Sequence, residues 1–87
     1  MEFEWDEAKR ASNLAKHGLD FADVARLEWT KLRIERDWRF DYEEARFIGV
    51  GHMDGVAVAV AFTLRGAAVR VVSFRPASRR ERARYGR

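Results

Sequence analysis

The spacing of hydrophobic and polar positions changes several times along the chain. Phe3 and Trp5 alternate with Glu2 and Glu4, which predicts a short edge strand. Asp6 then stands where an N-cap would, with Glu7 in the first turn. Ala8, Ala11, Leu14 and Ala15 recur at helical spacing over residues 7–17, with Lys16 and His17 in the last turn and Gly18 beyond it. Asp20 predicts the cap of a second helix, with a stripe of Phe21, Val24, Ala25 and Leu27 or Glu28, ending near Trp29. From Thr30 the period becomes two. Leu32 and Ile34 alternate with Arg33 and Glu35, the mark of a strand. Residues 37–44 are polar and aromatic and read as a loop. Strands follow at 46–51, 56–64 and 67–74, separated by turns at 52–55 and 65–66. After Pro76, Ser78 and Glu81 have the spacing of a capping box for a short helix over residues 79–85. No repeat or linker interrupts this order, so one domain spanning 1–87 is expected.

The strand at 56–64 carries the most geometric information. Val56, Val58, Val60, Phe62 and Leu64 face one side, and Ala57, Ala59, Ala61 and Thr63 the other. The bulky face predicts the core beneath two helices, and the small face a shallow floor. A two-residue loop at 65–66 and a four-residue loop at 52–55 would place Phe47, Val60 and Val71 in one core row. They would also place Arg46, Ala61 and Arg70 in one row of the opposite face. Two arginines flanking an alanine repel, so an anion or an acidic side chain is expected between them, with an RNA phosphate, Glu43 or Glu44 as candidates and two solvated arginines on an open face as the alternative.

Composition narrows the class. The chain has 87 residues and no cysteine, which excludes a disulfide framework, a thiolate zinc site and a thiol nucleophile. An apolar content of 47% argues against disorder. No apolar run has membrane-spanning length, and the acidic, aromatic N-terminus does not read as a signal peptide, so a cytoplasmic protein is expected. The net charge of +3 conceals a division: residues 1–64 sum to −4 and residues 65–87 to +7. Arginine outnumbers lysine 14 to 3, and its planar fork grips phosphate through two hydrogen bonds. An arginine-rich end points to an anionic partner, nucleic acid first, with a merely solvated tail as the alternative.

Several segments together resemble a known family. Phe3-x-Trp5-Asp6 with Lys9, Asn13, Lys16-His17-Gly18 and Phe21 is similar to the opening of the BrnT-type toxins of bacterial toxin–antitoxin pairs. Arg39-Phe-Asp-Tyr42 with Glu44 and Arg46-Phe47 resembles the family's middle, and Arg70-Val-Val-Ser73-x-Arg75-x-Ala77 with Arg80-Glu81 and Tyr85 its end. Glu43 and Pro76 depart from the pattern, where small and basic residues respectively are more usual. The resemblance implies an α+β, RelE-like fold, with two N-terminal helices packed on one face of a mainly antiparallel sheet and a short C-terminal helix. It implies a ribonuclease that arrests growth by cutting RNA. It also implies a cognate BrnA-like antitoxin with a ribbon-helix-helix part, through which operator DNA would be reached.

Metal-independent RNA cleavage needs cations at phosphorus, a base for the 2′-OH and an acid for the leaving oxygen. Arg46 and Arg70 suit the cation role, with Arg75 as a third candidate; an ion pair with an acid of the negative half is its alternative. His17 is a candidate base or acid, the imidazole being the side-chain type suited to both, though a helix C-terminus favours a charged histidine for structural reasons alone. Tyr85 is a candidate to stack on a base or donate a proton, with packing of the last helix as the alternative. Glu44 is a base, an orienter of Arg46 or a salt-bridge partner. Lys16, Arg79, Arg80 and Trp38 are candidate RNA-binding residues, Trp38 for stacking or for a partner protein. Trp5 is expected in the core and His52 in solvent. The two histidines lie far apart with no clustered carboxylates, so no metal or cofactor is expected. A non-catalytic basic module that binds nucleic acid or protein is the competing reading.

Overall fold

The computed structural model describes residues 1–39 and 43–85. Phe40, Asp41 and Tyr42 of the expected loop, and with them part of the Arg39–Tyr42 motif, lie outside these residues. Among the described residues the order is β1 (Glu2–Glu4), α1 (Glu7–His17), two 3-10 turns (Phe21–Arg26 and Trp29–Lys31), β2 (Arg33–Arg36), β3 (Arg46–Met53), β4 (Val56–Arg65), β5 (Ala68–Pro76) and α2 (Arg79–Tyr85). The strands form one sheet in the order β1-β5-β4-β3-β2. All neighbours are antiparallel except β1 and β5, so the sheet is mixed and the α+β class expected from the sequence is what forms.

The helix starts follow the caps read from the sequence. The Asp6 carboxylate accepts from the amides of Ala8 and Lys9. Gly18 closes α1 with φ 71°, a left-handed conformation that costs a residue without Cβ little, and its N–H donates to Leu14 O at 2.8 Å. In α2, Ser78 N donates to Glu81 Oε1 (2.8 Å) while Glu81 N donates to Ser78 Oγ (3.1 Å), a reciprocal capping box.

The second N-terminal helix is not an α-helix. Asp20 caps it as expected, but residues 21–26 wind as a 3-10 turn. Phe21, Val24 and Leu27 are all buried, at a spacing of three, and side chains three apart eclipse in a 3-10 turn. The apolar stripe of α1 is also reversed. Ala8, Ala11, Leu14 and Ala15 are exposed, and the side chain turned inward is Asn13. Its amide donates to Phe74 O (2.7 Å) and Leu19 O (3.0 Å) and accepts from Phe74 N (3.1 Å). β1 pairs with β5 only over residues 68–70, so Asn13 serves the next stretch of the β5 edge as a strand would.

The core lies on the face of Val58, Val60 and Phe62, closed by Phe21, Val24, Leu27, Val69, Val71 and Phe74. Trp5 packs against it with its ring 6.4 Å from Phe21, and its indole N–H donates to Glu7 of α1 at 2.9 Å. The small face is not an open floor: Ala59, Ala61 and Thr63 are all buried. Ala77 and Tyr85 close over Ala59 and Val50 there.

The first hairpin is tighter than expected, and the second turns one residue later. Asp54 and Gly55 form a two-residue turn with φ 53° and 79°, and the second turn is Gly66-Ala67 with φ 59° at Gly66. The β3–β4 pairing thereby slips by two residues, as does the β4–β5 pairing as far as Phe62–Val71; beyond that it slips by three. Phe47, Phe62 and Val71 share the core row in place of Phe47, Val60 and Val71. Arg46, Thr63 and Arg70 share the opposite row, with Thr63 where Ala61 was expected. A slip of two keeps every side chain on its face, so the arginines still flank one β4 residue.

Candidate functional site

The row opposite the core begins on β1 and crosses four strands: Glu4 beside Arg70, Arg70 beside Thr63, Thr63 beside Arg46. The acidic partner of Arg70 is Glu4, at 2.7 Å, and not Glu43 or Glu44. Glu44 instead bonds Arg65 at 2.7 Å. That bond holds the Glu44 carboxyl below its ordinary range, with smaller contributions from Arg70 and Arg46, so Glu44 is a poor base and an ion-pair partner. Asp37, buried, donates its N–H to Arg46 O at 2.7 Å and grips Arg39 through both carboxylate oxygens.

A β-bulge brings a third arginine to this face. Arg70 and Arg75 are an odd number of residues apart and would face opposite ways in a regular strand. The register with β4 shifts between Phe62–Val71 and Ala61–Ser73, leaving Val72 as the extra residue. Arg75 is thereby opposite Ala59, on the side of Thr63. Its partner is Glu81 (2.7 and 2.9 Å), the single acid of the basic end, rather than an acid of the negative half. This pair and the Ser78 amide hold Glu81 down to about 2 from its ordinary 4.5.

α2 and the β2 edge wall a cleft of about 760 Å³. Its lining contains seven arginines and three carboxylates. Arg75, Arg79, Arg80 and Trp38 converge here. Trp38 is 74% exposed, and the Arg36 guanidinium lies 4.1 Å from its ring centroid. The other candidates stand elsewhere. Lys16 and His17 line a smaller hollow between α1 and the bulge, with Ser12 and Ser73. Tyr85 is half-buried over Val50 and Ala59, and its ring lies 5.0 Å from that of His52. The structure therefore does not bring His17 into the arginine row, and it gives Tyr85 a packing role. His52 is exposed as expected, though on β3 and not in a turn.

The model of a family described as "Ribonuclease toxin, BrnT, of type II toxin-antitoxin system" matches residues 5–81. The chain belongs to that family. Membership implies a ribonuclease toxin of a type II toxin–antitoxin system, with a cognate antitoxin as partner. No curated protein matches the chain.

Sequence reasoning missed Thr63, Arg65, Glu4 and Arg36 as members of these sites. For Thr63 a signal was present: the alternation of 56–64 put it on the arginine face, and a two-residue turn at Asp54-Gly55 would have put it between Arg46 and Arg70. Among the described residues no three His, Cys, Asp or Glu side chains converge as a metal-binding group, and no helix is long and apolar enough to cross a membrane.

Proposed function

We propose that this BrnT-family protein is a metal-independent endoribonuclease of RelE-like fold that cuts RNA in the cytoplasm, arrests growth and is neutralised by a BrnA-like, ribbon-helix-helix antitoxin. What supports the reading most is the arginine-rich face: the Arg46–Thr63–Arg70 row and, beyond the bulge, a cleft that gathers Arg75, Arg79, Arg80 and exposed Trp38. In this reaction the 2′-OH gives up its proton and its oxygen bonds phosphorus. The P–O5′ bond breaks and O5′ gains a proton. Negative charge grows on the non-bridging oxygens meanwhile, and Arg46 and Arg70 are placed to stabilise it. Arg75, Arg79, Arg80 and Lys16 hold flanking backbone, and Trp38 stacks a base on the ring face that Arg36 leaves open. His17 and Tyr85, expected to transfer protons, stand outside the arginine row, so neither is assigned that step.

The test is incubation of the purified chain with a defined single-stranded RNA in EDTA. Cleavage by the wild type is expected, and about a 100-fold lower rate in Arg46→Ala and Arg70→Ala, the size of losing one preorganised charge donor. Wild-type rates in both variants would remove the assignment of these arginines. Salt-sensitive RNA binding without cleavage would favour the non-catalytic module.

A further inference from the structure

Thr63 is buried at 4% exposure, and its hydroxyl oxygen has no hydrogen-bond partner among the described residues. A buried hydroxyl without a partner is destabilising, so its presence asks for a reason. Packing does not supply one. The same face of β4 carries alanine at 57, 59 and 61. The neighbours across the two adjacent strands are Arg46 and Arg70. Guanidinium groups only donate, so they offer the Thr63 proton no acceptor. Arg70 has Glu4 as its acceptor, whereas the Thr63 proton is left without one.

Anions already seat themselves around this row. Glu4 holds Arg70 at 2.7 Å, and Glu44 holds Arg65 at 2.7 Å while feeling the charge of Arg70 and Arg46. The two carboxylate side chains are 41% and 43% exposed, and ion pairs at such exposure are worth little, so another anion exchanges with them at small cost. A phosphodiester can accept a guanidinium on one non-bridging oxygen and a hydroxyl on the other, whereas the Glu4 carboxylate bonds Arg70 and leaves the Thr63 hydroxyl without a partner.

We propose that Thr63 is a phosphate-binding residue: its hydroxyl donates to a non-bridging oxygen of an RNA phosphodiester that replaces Glu4 on Arg70 and lies between Arg46 and Arg70. This rests on the RNA-cleaving reading above, and it adds to that reading the subsite that holds one backbone phosphate. It also gives Glu4 and Glu44 a second task, as internal anions that occupy the row until RNA arrives.

The experiment compares wild type, Thr63→Val and Thr63→Ser as full chains. Inorganic phosphate is titrated while the arginine Nε–H and backbone amide signals are followed by NMR, and cleavage of a defined RNA is measured on the same samples. Thr63→Val removes an unpaired buried hydroxyl, so its melting temperature should equal or exceed the wild type's. Its phosphate affinity and cleavage rate should each fall about tenfold, the size of one charge-assisted hydrogen bond. Thr63→Ser should keep both within about threefold of the wild type on the same grounds. A folded Thr63→Val that binds phosphate and cleaves RNA like the wild type overturns the proposal. So does a folded Thr63→Ser as impaired as Thr63→Val. Loss of phosphate binding in Thr63→Val, with no RNA cleavage even by the wild type, supports the anion site and removes the nuclease reading instead.

Discussion

The side chain of Asn13 bonds three backbone groups on two different segments, and this fastens α1 to the sheet. Truncation to alanine would strand the N–H and C=O of Phe74, which sits in the core at 0% exposure. Each stranded buried group costs about 1–3 kcal/mol, so Asn13→Ala should lose about 2–4 kcal/mol, a large part of the roughly 5–15 kcal/mol of a small domain. Leu14→Ala, one residue away on the exposed side, should stay within about 0.5 kcal/mol of the wild type. Urea denaturation of the two variants checks the pair, and a larger loss for Leu14→Ala would reverse the assignment of faces. The same residue marks a limit of periodicity. Ala8, Ala11, Leu14 and Ala15 form the obvious apolar stripe, yet α1 packs beside a strand edge that lacks hydrogen bonds. Such an edge is served by an amide, and apolar spacing carries no record of that demand.

Among the elements, α2 is fastened by a few ion pairs over a small apolar contact. Arg75 and Glu81 form a bidentate pair, Arg84 bonds Glu35, and Arg33 donates to Arg84 O at 2.8 Å. Glu81 has its carboxyl lowered from 4.5 to about 2, first by Arg75. A carboxyl lowered by folding stabilises the fold when ionised. Its contribution is complete above the unfolded value of 4.5 and disappears as pH falls through about 2. Thermal melts between those pH values should therefore show wild type losing its advantage over Glu81→Gln as the solution is acidified, and a constant difference would sink the role. The hairpins teach a related lesson about registers. Asp54-Gly55 and Gly66 were visible as turn signals, and two-residue loops need positive φ at the positions these residues fill. Choosing longer or earlier loops misplaced both registers by two residues, as far as Phe62–Val71 in the second. The faces survived because the side-chain period is also two. The bulge at Val72 left no sequence signal, since no glycine or proline stands there, so the turn of Arg75 toward Arg70 became visible only in the fold.

Over the whole molecule, the division of charge between residues 1–64 and 65–87 is partly neutralised by pairing across it. Glu4 meets Arg70 and Glu44 meets Arg65, so acids of the first part answer arginines of the second. Among the described residues Arg79 and Arg80 form no ion pair, and both are exposed on the cleft beside Trp38. Unpaired surface cations are the ones that release counterions from a nucleic acid, and each phosphate contact with a single strand adds about 0.7 to the slope of log affinity against log salt. The double variant Arg79→Ala/Arg80→Ala should therefore bind RNA more weakly regardless of sequence, with the slope shallower by about 1.4. Trp38→Ala should behave differently. Losing one stacked base costs about 1–3 kcal/mol and releases no counterion, so affinity should fall while the slope stays unchanged. Binding measured by fluorescence anisotropy at several salt concentrations separates the two effects. An unchanged slope in the arginine variant would place the RNA backbone away from α2, and a changed slope in the tryptophan variant would mean that Trp38 acts by positioning Arg36 rather than by stacking.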